Sequence, residues 1–157
     1  MAVAVIVGII VTFATLSVDV GGADRRAEEA AQRFRLLASL AREQAILESR
    51  QLALVVEPDG YRFERLDGER WRPLDDNKSL RPRHLDADLS MRLTLDGEPL
   101  KLGADKEGAE AAPRVLFLSS GEVTPFEVEL RGGGQAWRVR SDGFGTLSLD
   151  GPLEPAA

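Results

Sequence analysis

From residue 1 to residue 18 no side chain carries a charge, and Val, Ile and Ala dominate the run. As a helix these residues span roughly 27 Å, close to the hydrocarbon thickness of about 30 Å. The pattern predicts a transmembrane helix over 1–18. Val3, Val5, Ile6, Val7, Ile9, Ile10, Val11, Phe13, Leu16 and Val18 supply its apolar surface. A cleaved secretory signal opens with basic residues and closes on a small-x-small site, and neither is clear here.

The polar phase starts at Asp19, and Gly21-Gly22 permits a kink or joint at the membrane surface. Over 23–49 the period is helical: Ala27, Ala30, Phe34, Leu37, Ala41 and Ala45 recur three or four apart, and Leu36, Leu40 and Leu47 widen the stripe. Residues 19–50 therefore read as an amphipathic stalk. Its second half, with Phe34, Leu37, Ala41 and Ala45, is expected to pack on the chain's own sheet. For the first half, near Ala27, a partner helix is an equal expectation.

After Arg50 the period changes to two, and residues 51–150 read as a β-rich head. Leu52, Leu54 and Val56 alternate with their neighbours, and Pro58-Asp59-Gly60 makes a turn. Tyr61 and Phe63 share a face, Asp67-Gly68 marks a tight hairpin, and Trp71 lies on the return strand. Leu89, Met91, Leu93 and Leu95 form a half-buried antiparallel strand before Asp96-Gly97. Residues 103–113 are small and polar and read as a mobile loop. Further strands are expected at 114–118, 125–131, 136–140 and 146–149, with Gly132-Gly133-Gly134 as a flexible hairpin tip and 151–157 as a disordered tail.

Composition narrows the chemistry. The net charge is −6, which disfavours a general basic field for nucleic acid. There is no cysteine and one histidine, His84, so disulfides and Cys- or multi-His zinc sites are excluded. Ser119-Ser120-Gly121 has no Gly-x-Ser-x-Gly elbow around it and reads as a turn. Asp75-Asp76-Asn77 and Asp86-Ala87-Asp88 lack the spacing of a calcium loop. Arg81, Arg83 and His84 form one basic cluster, and Arg131, Arg138 and Arg140 another; acidic neighbours make both read as solvated faces. Gly143 and Gly145 flank Phe144 in what reads as a bend seating an aromatic side chain. No catalytic, metal-binding or cofactor-binding residues are expected.

Four segments in this order resemble a known family. Ser119-Ser120-Gly121-Glu122-Val123-Thr124-Pro125-Phe126 resembles the "LSSGExTPF" segment of the GspH minor pseudopilins of type II secretion. Trp137 through Asp142-Gly143-Phe144-Gly145 resembles their "W…DGFG" segment. Arg42-Glu43-Gln44-Ala45-Ile46 resembles the "ARxxAI" stretch of their stalk, and Trp71-Arg72-Pro73-Leu74-Asp75-Asp76 the region of their first hairpin. The family opens with a prepilin leader and a Gly–Phe-Thr-Leu-x-Glu processing site; Met1-Ala2-Val3 resembles the interior of the helix that follows.

The resemblance implies a pilin-like α+β fold, a long helix packed on an antiparallel sheet. It implies a structural subunit near the tip of a periplasmic pseudopilus, held in the inner membrane by a single pass with its head in the periplasm. The partners implied are other minor pseudopilins, the major pseudopilin and inner-membrane lipid, with the secretin and secreted substrates engaged indirectly and no nucleic acid. The apolar residues of 1–18 would then also form filament core. Two other readings remain: a FimT- or FimU-type minor pilin of a type IV pilus, a group in which some members bind DNA, and a membrane-anchored periplasmic enzyme.

A charge at the middle of the uncharged run tests the anchor. Val7→Asp should cost about 2.5–3.5 kcal/mol of insertion free energy and release the protein from the membrane fraction. Unchanged sedimentation with membranes would refute the assignment.

Overall fold

The computed structural model describes residues 2–103 and 112–154, with the side chains of the first helix described from Gly21 onward. Helix α1 runs unbroken over Ala2–Leu47, about 69 Å at 1.5 Å per residue. Gly21 and Gly22 lie inside it without a joint. Its end is a Schellman motif: Ser49 takes a left-handed φ of 51°, the Arg50 amide donates to the Ala45 carbonyl at 3.1 Å, and the Ser49 amide to that of Ile46 at 3.2 Å.

Among the described residues ten strands follow: β1 (Leu52–Glu57), β2 (Gly60–Asp67), β3 (Arg70–Pro73), β4 (Arg83–His84), β5 (Leu89–Leu95), β6 (Glu98–Leu100), β7 (Arg114–Phe117), β8 (Phe126–Gly132), β9 (Gln135–Ser141) and β10 (Leu147–Leu153). They form two antiparallel sheets. The first has the order β3-β2-β1-β7, with β4 paired to the Gly60 end of β2. The second has the order β10-β9-β8-β5-β6.

Several boundaries differ from the sequence reading. Strands β4 and β6 are too short to carry a period. The chain end is not a free tail from 151: β10 continues through Gly151 and Pro152 to Leu153, shifting register after Asp150 while still pairing with β9. The Gly132–Gly134 tip is tied down, because the Asp24 carboxylate accepts from the amides of Gly134 at 2.9 Å and Gln135 at 3.1 Å. The anchor side chains Val3, Val5, Ile6, Val7, Ile9, Ile10, Val11, Phe13, Leu16 and Val18 lie outside the described side chains. So do most of the expected 103–113 loop and the final residues 155–157.

The helix meets the sheets along Ala23, Ala27, Ala31, Phe34, Ala38, Ala41 and Ala45, all buried. Six of these seven are alanine, which lets the helix backbone come close to the strands. The first half of the stripe, where the sequence leaves a partner helix open, is covered by the chain's own head. At Gly132 of β8 a Cβ would stand 2.6 Å from the Ala23 carbonyl oxygen and 3.1 Å from the Ala27 Cβ, so the hairpin passes beneath the helix only with glycine there. Leu37 and Leu40 are half-buried against the core, whereas Leu36 and Leu47 point outward, at 58% and 83% exposure.

Phe34 is the one large side chain in the stripe. Its ring meets Tyr61 of β2 edge-on at 5.0 Å and Phe126 of β8 at 6.2 Å, so one residue touches both sheets. Around it lie Leu52, Leu54, Phe63 and Val115 from the first sheet and Leu93, Val128, Leu130 and Val139 from the second. Strand β1 is buried on both faces from Leu52 to Val56. By register its Ala53 and Val55 lie level with Glu64 and Arg62 of β2 and with Leu116 and Arg114 of β7. Glu64 is itself buried and joins Arg114 at 2.8 Å and Arg62 at 3.3 Å.

Truncating Phe34 removes the contact shared by helix and both sheets. Phe34→Ala should cost about 3–5 kcal/mol, and Ala38→Leu, which pushes the helix off the sheet, about 1–3 kcal/mol. Chemical denaturation measures both. A cost below about 0.5 kcal/mol for Phe34→Ala would show that the ring is not a core residue.

Candidate functional site

Three of the quoted motif segments meet near the C-terminal end of α1, around Arg42. Residue 42 sits one position past buried Ala41, so its side chain leaves the helix at the border of the packed stripe. The Arg42 Nε donates to the Gly121 carbonyl at 2.7 Å, reaching the turn that holds Ser119 and Ser120. On its other side lies Gly145. A Cβ there would stand 2.7 Å from the guanidinium carbon, and one at Gly121 would stand 3.0 Å from Nη2. Both glycines have positive φ, +92° at Gly121 and +100° at Gly145. The guanidinium thus fills the space that two missing side chains leave.

The two turns are also tied to each other. The Val123 amide donates to the Gly143 carbonyl at 3.2 Å, and Pro125 packs over Gly143. The Gly121 amide closes its turn on the Leu118 carbonyl at 2.9 Å. Thr124 continues the edge of β7, its amide donating to Leu116 O at 2.9 Å and its Oγ1 accepting from Leu116 N at 3.0 Å. Phe126 then enters the core.

Asp142 builds the second turn. Its Oδ1 accepts from the amides of Phe144 at 2.8 Å and Thr146 at 3.1 Å, and Ser141 Oγ accepts from Gly143 N at 3.2 Å. Lost solvation pushes the Asp142 carboxyl up, but the hydrogen bonds from Phe144 and Thr146 outweigh it and hold the group below the usual carboxylate range. Here the sequence reading needs correction. The bend does not seat its aromatic side chain: Phe144 is 85% exposed, and the flanking glycines make room for Arg42 and Pro125. Trp137 lies apart on β9, half-buried against Gly151, its indole N–H buried without a hydrogen-bond partner.

The arrangement offers a shaped surface. Ser119 and Ser120 are exposed, and Ser120 Oγ donates to Glu122 Oε2 at 2.9 Å. His84 is exposed on β4, with Asp59 3.9 Å from its Nδ1. Asn77 spends its Oδ1 on the amides of Ser79 and Leu80, both at 2.9 Å. Among the described residues no group of three His, Cys, Asp or Glu is placed to hold a metal.

The arginines of β8 and β9 are neutralised in place. Arg138 meets Glu127 at 2.8 Å and Glu129 at 3.2 Å, Arg131 also meets Glu129, and Arg140 meets Asp150 at 3.1 Å. Register sets Glu129 directly opposite Arg138, while the Arg138–Glu127 and Arg140–Asp150 pairs run diagonally between neighbouring strands and Arg131 lies two residues from Glu129 on β8.

The sequence marks Arg42 only as part of a stalk motif and does not show what it reaches. Sequence reasoning also missed Asp24, which caps the β8–β9 hairpin, and Arg26, which joins Asp86 and Asp88 at the start of β5. A usable signal was present for Arg42: an arginine beside an alanine stripe, in a chain whose later turns are rich in glycine.

A long N-terminal helix laid over antiparallel sheet, and continuous with an uncharged run, defines a pilin-like subunit. The family model described as Type II transport protein GspH matches residues 30–145. The type II secretion system protein H of Pseudomonas aeruginosa is 32% identical over 92% of this chain and 87% of its own length. The minor pseudopilin EpsH from the type 2 secretion system of Vibrio cholerae superposes with a TM-score of 0.69 at 28% identity, covering 83% of this chain and 99% of that one. The type IV minor pilin FimU of Pseudomonas aeruginosa, at 14% identity and a TM-score of 0.58 over 83% of this chain and 93% of that one, shares the fold. The chain belongs to the GspH family of minor pseudopilins.

The Asp142 turn gives a pH test. Because its carboxyl lies below the ordinary value of 3.8, its contribution is fully present above that value and is lost as the pH falls through the lower folded value. The amide protons of Phe144 and Thr146 should keep their protection from exchange down to pH 3.8 and lose it only below that value, and should lose it at neutral pH in Asp142→Ala. Unchanged protection in that variant would show that the carboxylate does not hold the turn.

Proposed function

We propose that this chain is a structural subunit near the tip of a type II secretion pseudopilus and supports export of folded proteins across the outer membrane. One observation carries the reading: a single helix, Ala2–Leu47, joins the uncharged N-terminal run to the stripe that grips the head. Such an element suits a subunit whose N-terminal half sits in lipid before assembly and among like helices afterwards, while its head makes side-to-side contacts. Membership of the GspH family supports the same role. The partners would be the other minor pseudopilins and the major pseudopilin, with the secretin and exported proteins engaged through the filament. The head would stand in the periplasm and the helix in the inner membrane. Among the described residues no helical stretch is long and apolar enough to cross a membrane, so the proposed anchor rests on the sequence of 1–18.

The role needs no chemistry from this chain. The serines of the family motif form a turn, and the single histidine is exposed on a different strand. The alternative, a DNA-binding minor pilin, needs an exposed basic face. Arg131, Arg138 and Arg140 are already engaged by carboxylates, and the chain carries a net charge of −6.

Deleting the gene should stop secretion of folded exoproteins, and the intact gene should restore it. Ser119→Ala and Ser120→Ala should restore it equally well. Secretion that survives the deletion would refute the role. Secretion lost in either serine variant, with the protein folded and abundant, would refute a purely structural role.

A further inference from the structure

Three strand ends converge where α1 first grips the head. Leu89 opens β5 opposite Gly132, Gly132 pairs with Gln135 across the β8–β9 tip, and Ala136 pairs with Leu153 at the finish of β10. The Asp24 carboxylate holds this end, accepting from the Gly134 amide at 2.9 Å. Phe126 at the start of β8 lies by Phe34, whereas Gly132 at its finish lies by Ala23 and Ala27. Strand β8 thus runs along the helix toward its N-terminus, and the Gly133-Gly134 tip forms the base of the head.

The helix fixes where this base stands. It is continuous from Ala2 to Leu47, so no joint separates the uncharged run from the head. The first charged residue after the run is Asp19, and Asp24 lies five residues beyond it, about 7.5 Å along the axis. A helical side chain tilts toward the N-terminus, which brings the Asp24 carboxylate, and the tip it holds, lower still. The headgroup layer on each side of a bilayer is about 5–7 Å deep. With the hydrocarbon boundary at Asp19, the tip lies within that layer.

We propose that, before assembly, the base of the head rests on the lipid surface, with the Gly133-Gly134 tip among the headgroups. Gly133, Gly134 and Gln135 are exposed and bring neither apolar bulk nor charge to that layer. The carboxylates at this end do not confront lipid phosphate unpartnered: Asp24 is held by two amides, and Asp86 and Asp88 by Arg26. The contact sets the tilt at which the head stands while the subunit waits in the membrane. The Arg42 turns are out of reach of lipid, because Arg42 lies twenty-three residues beyond Asp19, about 35 Å along the helix.

The proposal rests on the membrane anchor of the pseudopilin role, and its test separates the two. The chain has no cysteine, so Gln135→Cys carries a single fluorophore at the base, and Phe144→Cys carries the reference at an exposed site beside the Arg42 turns. Each full-length protein is reconstituted into vesicles of phosphatidylethanolamine and phosphatidylglycerol, with and without lipid bearing a nitroxide on its headgroup. The label at 135 should lose most of its emission to the nitroxide, and the label at 144 should lose none. If labelling at 135 unfolds the hairpin, Glu154→Cys, exposed just past Leu153 at the same end, replaces it with the same result expected. Two helical turns of alanine inserted between Gly21 and Gly22 lift the head by about 11 Å and should abolish the quenching at the base. Equal quenching at base and reference, or none at either, in protein that floats with the vesicles overturns the proposal and leaves the anchor standing. Quenching at the base that survives the insertion does the same. Protein that does not float with the vesicles removes the anchor and the proposal together.

Discussion

The head depends on how near the backbone of α1 comes to the strands. Six alanines out of seven buried stripe positions set that distance, and much of the rest of the chain accommodates it. Gly132 lies where the hairpin runs under Ala23 and Ala27, and Gly121 and Gly145 lie where two turns approach Arg42. An interface this thin buries little apolar area per residue, so one large group matters more than it would elsewhere. Phe34 is that group, and through Tyr61 and Phe126 it makes one core out of two sheets.

Periodicity revealed what periodicity encodes. The 3.6-residue repeat marked the helix and its alanine stripe, and the two-residue repeat marked β5 and β8, whose buried positions alternate. It could not show which side of the stripe Leu36 and Leu47 fall on, because a narrow alanine interface covers a smaller arc than a leucine-rich one. Strands β4 and β6, of two and three residues, are defined by their neighbours alone. The Gly151-Pro152 pair reads as a terminator, yet β10 accepts it through a register shift on an outer strand, where a missing N–H costs little. The Arg42 site was half legible. Its three segments were recognisable as motifs, but their meeting place is set by sheet topology, with some eighty residues between Arg42 and Gly121.

Charge is distributed by the same topology. On the second sheet, glutamates of β8 face arginines of β9, so a row of cations that looks basic in sequence is neutral in space. Three of the four sheet edges are closed to pairing. Strand β6 has three residues with a proline among them, β3 ends on a proline, and the outer side of β7 is occupied by Thr124 and Glu122.

An alanine interface has few projections to resist sliding. Any force along the axis of α1 is therefore a shear between helix and sheet, and the smoothness that permits close approach also lowers friction. Resistance is concentrated at three places along the helix. Asp24 and Arg26 hold the hairpin tip and the start of β5, Phe34 is keyed between the sheets, and Arg42 is locked in the glycine turns. Moving the helix by one turn, about 5.4 Å, would break all three together, so load entering at one end reaches the whole head as a unit.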